Sequence, residues 1–185
     1  MWWILIVILV IIILAIILLY NNLVQLKLKV KNAWAQIDTQ LKRRFDLIPN
    51  LIDTVKGYMQ HEENTLKDIT ELRNSFANSS SIDDKVDTNN KLNNALKSVF
   101  ALAEAYPDLK ANQNFLSLQQ ELSNVEDKIA YSRQFYNDTV QMYNTAIMSF
   151  PANILASLFG FKEQNFFTLD NETERQNVKI DFSNK

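Results

Sequence analysis

His61, flanked by Glu62 and Glu63, is the one histidine of the chain, and a histidine beside carboxylates is a common start for a zinc or general-base site. The spacing withholds the rest. A zinc-peptidase helix needs a second histidine four residues on, where this chain has Thr65, and with no cysteine there is no soft ligand to complete a set. A carboxylate cage for a hard cation would need a ligand loop, and the sequence writes none. Gly57 and Gly160 lie more than a hundred residues apart, so no glycine-rich phosphate loop can form. A serine nucleophile would lack the elbow that presents it to a base. The chain is therefore expected to be no enzyme and to hold no cofactor and no metal. An enzyme built from carboxylates with Arg or Lys is the remaining catalytic alternative.

The other polar and aromatic residues are suited to contact. Lys27, Lys29, Lys31, Lys42, Arg43 and Arg44 form a basic cluster with only Asp38 against it, and Phe159, Phe161, Phe166 and Phe167 form an aromatic one. Both are candidate contacts for lipid or for a protein partner, through headgroup charge in the first case and apolar area in the second. Arg43 and Asp46, three apart, read as a surface ion pair on one helix. Glu104, Asp108 and Arg133 are candidates for a polar pair inside the fold. Three Tyr-Asn pairs, Tyr20-Asn21, Tyr136-Asn137 and Tyr143-Asn144, read as coincidence in an Asn-rich chain, with rings inward and amides toward water. With 19 basic and 21 acidic residues the net charge is -2, too weak to recruit nucleic acid.

What positions these residues begins with a membrane span. Trp2 to Leu19 is a run of 18 apolar residues, 15 of them Ile, Leu or Val. As a helix it reaches about 27 Å, close to the hydrocarbon thickness of a bilayer. Trp2, Trp3 and Tyr20 mark its two interfaces. A cleaved signal peptide would want a basic start and a small-x-small cleavage site, and this run has neither. The basic cluster lies on its C-terminal side only, so the positive-inside rule puts the N-terminus outside and the following domain in the cytoplasm, at the cell membrane.

Residues 21–165 read as one helical domain. Leu23, Leu26, Val30, Trp34, Ile37, Leu41, Phe45, Ile48, Ile52, Val55 and Met59 recur every three or four residues, which is one helical stripe. It crosses Pro49 in phase, as a kink or an end. Helices are expected over about 21–59, 62–77, 88–105 and 108–148, with a turn near Gly57 to His61. Asn78 to Asn90, rich in Ser, Asp, Asn and Thr, reads as a surface loop. The stripes cannot hide their apolar sides alone, so the expected fold is all-α: a four-helix bundle preceded by one N-terminal transmembrane helix. A long parallel coiled coil is the runner-up. A short apolar segment over 150–167 docks on the bundle, the membrane or a partner, and 168–185 is a polar tail, with Val178 to Phe182 extended. The sequence leaves the oligomeric state open.

Several stretches in order resemble one family. They are Tyr20-Asn21-Asn22-Leu23-Val24, Asn32-Ala33-Trp34 through Ile37-Asp38, the run from Gln40 to Leu51 (Arg43-Arg44-Phe45-Asp46-Leu47-Ile48-Pro49), and Val55-Lys56-Gly57-Tyr58. Glu104 to Ala111, Arg133 to Asn137 and Phe150-Pro151 follow. Together they look like the bacterial LemA family, from the anchor to beyond Phe161. The resemblance implies a single-pass membrane protein with an outward N-terminus and four main helices, and it implies no activity. The expected role is thus a non-enzymatic scaffold or adaptor for membrane protein partners at the lipid bilayer. The alternative is a lipid-surface or envelope-organising protein.

Overall fold

A computed structural model describes residues 2–59 and 63–168. The His61 metal reading, the 169–185 stretch and the extended segment expected at Val178 to Phe182 lie outside them. The described residues form six helices: α1 (Trp2–Lys56), α2 (Glu63–Asn78), α3 (Ile82–Ala103), α4 (Pro107–Lys110), α5 (Gln113–Met148) and α6 (Ala152–Leu158). No strand occurs among them.

The span and the first bundle helix are one element. α1 runs 55 residues without a break, and Pro49 lies inside it. Residues 2–18 are exposed, Leu19 is half-buried against the core, and Leu23, Val30, Ile37, Leu41, Phe45, Ile48 and Val55 are buried. The helix ends where Tyr58 and Met59 turn their amides back onto the Val55 carbonyl, both at 2.9 Å.

From there the chain folds back on itself three times. α5 is antiparallel to α1, because Glu121 meets Arg43, Glu126 meets Arg44 and Tyr136 meets Trp34 as the two helices pass in opposite directions. α2 descends until Phe76 stacks on Phe45, ring centres 4.0 Å apart. α3 rises again, with Lys85 paired to Asp38 and Asn89 to Arg44. The core runs through all four, with Ile69, Leu92, Val99, Val125, Val140 and Tyr143 joining the α1 stripe.

The surface loop expected over Asn78 to Asn90 does not form. Most of the Asn78 to Asn90 stretch is helix, and only three residues separate α2 from α3. Ser81 caps α3, its hydroxyl accepting the Asp84 amide at 3.0 Å, and Asp83 and Asp84 place negative charge on the helix's positive end. The polar residues that suggested a loop are partly inside: Thr88 and Asn89 are buried, with the Thr88 hydroxyl returned to the Asp84 carbonyl.

Because α2 stops near the level of Phe45, the membrane-proximal third of the bundle has only α1 and α5 as long helices. The C-terminal segment fills the gap. After α6, Gly160 takes φ +71°, the Phe161 amide reaches back to the Ala156 carbonyl at 2.9 Å, and the chain turns upward. Residues 161–168 then run as an extended strap alongside α5.

Candidate functional site

Two Tyr-Asn pairs on α5 hold the strap. Asn144 donates its amide to the Gln164 carbonyl and accepts the Gln164 N–H, both at 2.9 Å. Asn137 treats Phe167 the same way, at 3.1 and 2.8 Å. The Tyr143 hydroxyl donates to the Lys162 carbonyl and the Tyr136 hydroxyl to the Asn165 carbonyl, each at 3.0 Å. The repeat has a geometric cause. Seven helical residues span about 10.5 Å and three extended residues about 10 Å, so each heptad step on α5 matches a three-residue step on the strap. Burial raises the Tyr136 and Tyr143 hydroxyl pKa values, with Asp83 adding to the shift at Tyr136. Reading these pairs as coincidence missed a clamp; their seven-residue recurrence was the available signal.

Higher up, Arg44 is buried in the centre of the bundle, not on a basic surface. It donates to Asn89 Oδ1 of α3 at 2.9 Å and touches Glu126 of α5 at 2.7 Å. The Glu126 contact is charge against charge without an aligned hydrogen bond, and Arg44 Nε has no partner among the described residues. Burial pushes the Arg44 pKa down, and Glu126 partly offsets it. Arg43 reaches Glu121 across to α5 at 3.5 Å and not Asp46 on its own helix. Glu104 and Asp108 are exposed at the far end, and no ion pair among the described residues joins them to Arg133.

The predicted basic cluster therefore divides in three. Lys27, Lys29 and Lys31 are exposed within about 17 Å of Tyr20 along α1. Lys42 and Arg43 are exposed but about 33 Å or more up the helix, several screening lengths from a headgroup layer. Arg44 is internal.

The phenylalanines divide too. Phe167 is buried beside Trp34, and Phe166 is half exposed beside α3. Phe159 and Phe161 sit edge-on to Tyr20, ring centres 4.9 and 5.9 Å away, and the Lys27 ammonium lies 5.6 Å from the Phe161 ring centre. Next to them α6 buries Ala152, Leu155 and Ala156 and leaves Ile154 and Leu158, four residues apart, exposed on its open side, with Phe150 exposed just before its start. The end of α6 thus sits where α1 leaves its apolar run, since Phe159 follows it directly and meets Tyr20.

Between α1, the start of α3 and the strap lies an open groove of about 590 Å³. Tyr20, Val24, Leu28, Trp34, Phe159 and Phe161 give it apolar walls, with Lys27 and Lys31 at its side. No group of three or more potential metal-ligating side chains occurs among the described residues.

Comparison with known proteins places the chain by sequence. The LemA family model matches residues 33–182. Protein LemA of Metamycoplasma hominis is 31% identical over 140 residues, 74% of this chain and 63% of that protein. Magnetosome protein MamQ 2 of Paramagnetospirillum magneticum is 35% identical over 74 residues, 40% of this chain and 27% of that protein. Magnetosome protein MamQ of Magnetospirillum gryphiswaldense is 34% identical over the same length and shares. The chain thus spans less than two thirds of the length of these curated relatives.

Proposed function

The chain belongs to the LemA family, and from that premise we propose that it is a non-enzymatic scaffold or adaptor that holds a helical bundle at a fixed attitude to the cell membrane for membrane or envelope protein partners. One observation carries the reading: α1 passes from apolar span to bundle spine with no loop between. A flexible tether would only raise local concentration, whereas a continuous helix also fixes which face of the bundle meets a neighbour. The charge bias after the span supports an outward N-terminus and a cytoplasmic bundle. The partner surface on this reading is the outer face of α5, where Tyr131 and Phe135 are exposed well above the base.

Photocrosslinking side chains placed at Tyr131 and Phe135 of the full chain, in native membranes, test it. Discrete protein adducts at both positions are expected. Adducts no different from those at exposed Asp46, on α1, would count against it.

The open side of α6 favours a second reading, an organiser of the lipid surface. The chain has no cysteine, so an Ile154→Cys variant takes a single spin label. On this reading the label is accessible to dissolved oxygen and shielded from aqueous nickel, and the opposite pattern removes it.

A further inference from the structure

We propose that the groove at the base of the bundle binds one anionic membrane lipid, its headgroup on Lys27 and Lys31 and an acyl chain along Tyr20, Val24, Leu28 and Phe159. The inference rests on the membrane-anchored reading above and adds a ligand to it.

The groove is built on one face of α1, because Tyr20, Val24, Lys27, Leu28, Lys31 and Trp34 follow one another at helical spacing. Its size lies within the range of small-ligand sites. Its lower end is Tyr20 and Phe159, at the boundary of the apolar span, so a chain can enter sideways from the leaflet without crossing water. Lys27 and Lys31 stand about 10 and 16 Å above Tyr20 along the helix. The headgroup layer is about 5–8 Å deep, so a lipid seated here is drawn part-way out of the leaflet, and the apolar walls at Val24 and Leu28 replace the hydrocarbon that its upper acyl carbons leave.

Charge supplies the selectivity. No acidic residue lines the groove, and neither lysine joins an ion pair among the described residues. The ring of Phe161 steadies the Lys27 ammonium without accepting its hydrogen-bond donors in the way a carboxylate would, which leaves them for a phosphate or carboxylate. The same pair of charges repels the quaternary ammonium of a choline headgroup, so the site discriminates as well as attracts.

Native mass spectrometry of the full chain in neutral detergent, titrated with phosphatidylglycerol, phosphatidylcholine or oleate, tests the site. About tenfold stronger retention of phosphatidylglycerol over phosphatidylcholine is expected. The Lys27→Gln/Lys31→Gln pair should lose that preference, and so should Leu28→Glu, which puts an acid at an exposed position in the groove. Lys42→Gln/Arg43→Gln removes equal charge far up α1 and should keep it. Oleate that displaces phosphatidylglycerol at equal concentration would support the site with a free fatty acid as its source. Equal retention of the two phospholipids overturns the proposal. So does a loss of preference in the Lys42/Arg43 pair as large as in the groove pair, because bulk charge then suffices. Partner crosslinking is read in whole membranes and lipid choice in detergent, so either reading can fail alone.

Discussion

Asn144 grips Gln164 from both sides, its amide nitrogen on the carbonyl and its amide oxygen on the N–H, each at 2.9 Å. A primary amide presents one donor and one acceptor side by side, which is the pattern an extended residue offers along one edge. Asn137 repeats the grip on Phe167 two helical turns away. The strap is thereby held through its backbone, and its side chains are left to line the groove at Phe161 and Gln164, to meet α3 at Phe166 and to enter the core at Phe167.

Truncating Asn144 to Ala should loosen the strap while leaving the four long helices in place. The two lost bonds serve a partly buried backbone and together are worth about 1–3 kcal/mol. Hydrogen exchange at the Gln164 and Phe167 amides should accelerate by one to two orders of magnitude, roughly, with core amides of α5 near Val125 unchanged. Equal acceleration at Val125 would mean that Asn144 acts on the bundle as a whole.

The tyrosine hydroxyls give the clamp a pH dependence. Tyr136 and Tyr143 are raised above the ordinary tyrosine pKa by burial, so the folded state holds its phenolic protons more tightly than the unfolded chain does. Their contribution is fully present below about pH 10 and falls as pH rises from there through the folded values. Thermal melting in detergent between pH 8 and 11 should show this loss, and Tyr136→Phe/Tyr143→Phe should flatten it.

Arg44 links three helices from within, and its replacements should rank by what they leave behind. Arg44→Ala strands Asn89 and opens a hole, a loss of about 3 kcal/mol. Arg44→Met fills most of the volume and should cost markedly less. Glu126 is half exposed, so a double-mutant cycle between Arg44→Met and Glu126→Gln should report a coupling of about 1 kcal/mol or below. Chemical unfolding of the wild type and the four variants measures each value.

The cap on α3 is a simpler case. Ser81→Ala removes the acceptor for the Asp84 amide and should cost about 1 kcal/mol, with faster exchange confined to residues 84–86. Unchanged exchange there would show the first turn to be held by packing alone.

These elements differ in how far the sequence discloses them. Most of the α1 stripe was written, since hydropathy at helical spacing records which side is buried, and Leu23, Val30, Ile37, Leu41, Phe45, Ile48 and Val55 are inside; past Pro49, Leu51 is buried in place of the expected Ile52, which is half-buried. The start of α3 was hidden, because Thr88 and Asn89 are polar residues facing inward and composition reads them as solvent-facing. Arg44 was assigned to a basic surface for the same reason: charge in a sequence carries no record of depth. The clamp left the weakest trace, because an asparagine that binds backbone selects no particular partner residue. Only the heptad spacing of the two Tyr-Asn pairs pointed to it.

An unbroken α1 also makes the bilayer a mechanical input. From Tyr20 to Pro49 the helix is a lever about 44 Å long whose short arm is sunk in lipid. Spans tilt to match the local hydrocarbon thickness, commonly by about 20°, and a change of that size would sweep the Pro49 level sideways by roughly 15 Å. Thinning or thickening of the membrane is in this way converted into travel at the far end of the protein. A Gly-Gly-Ser insertion after Asn22 would uncouple the two, and distances between spin labels at residue 50 and in the lipid phase would then stop following bilayer thickness.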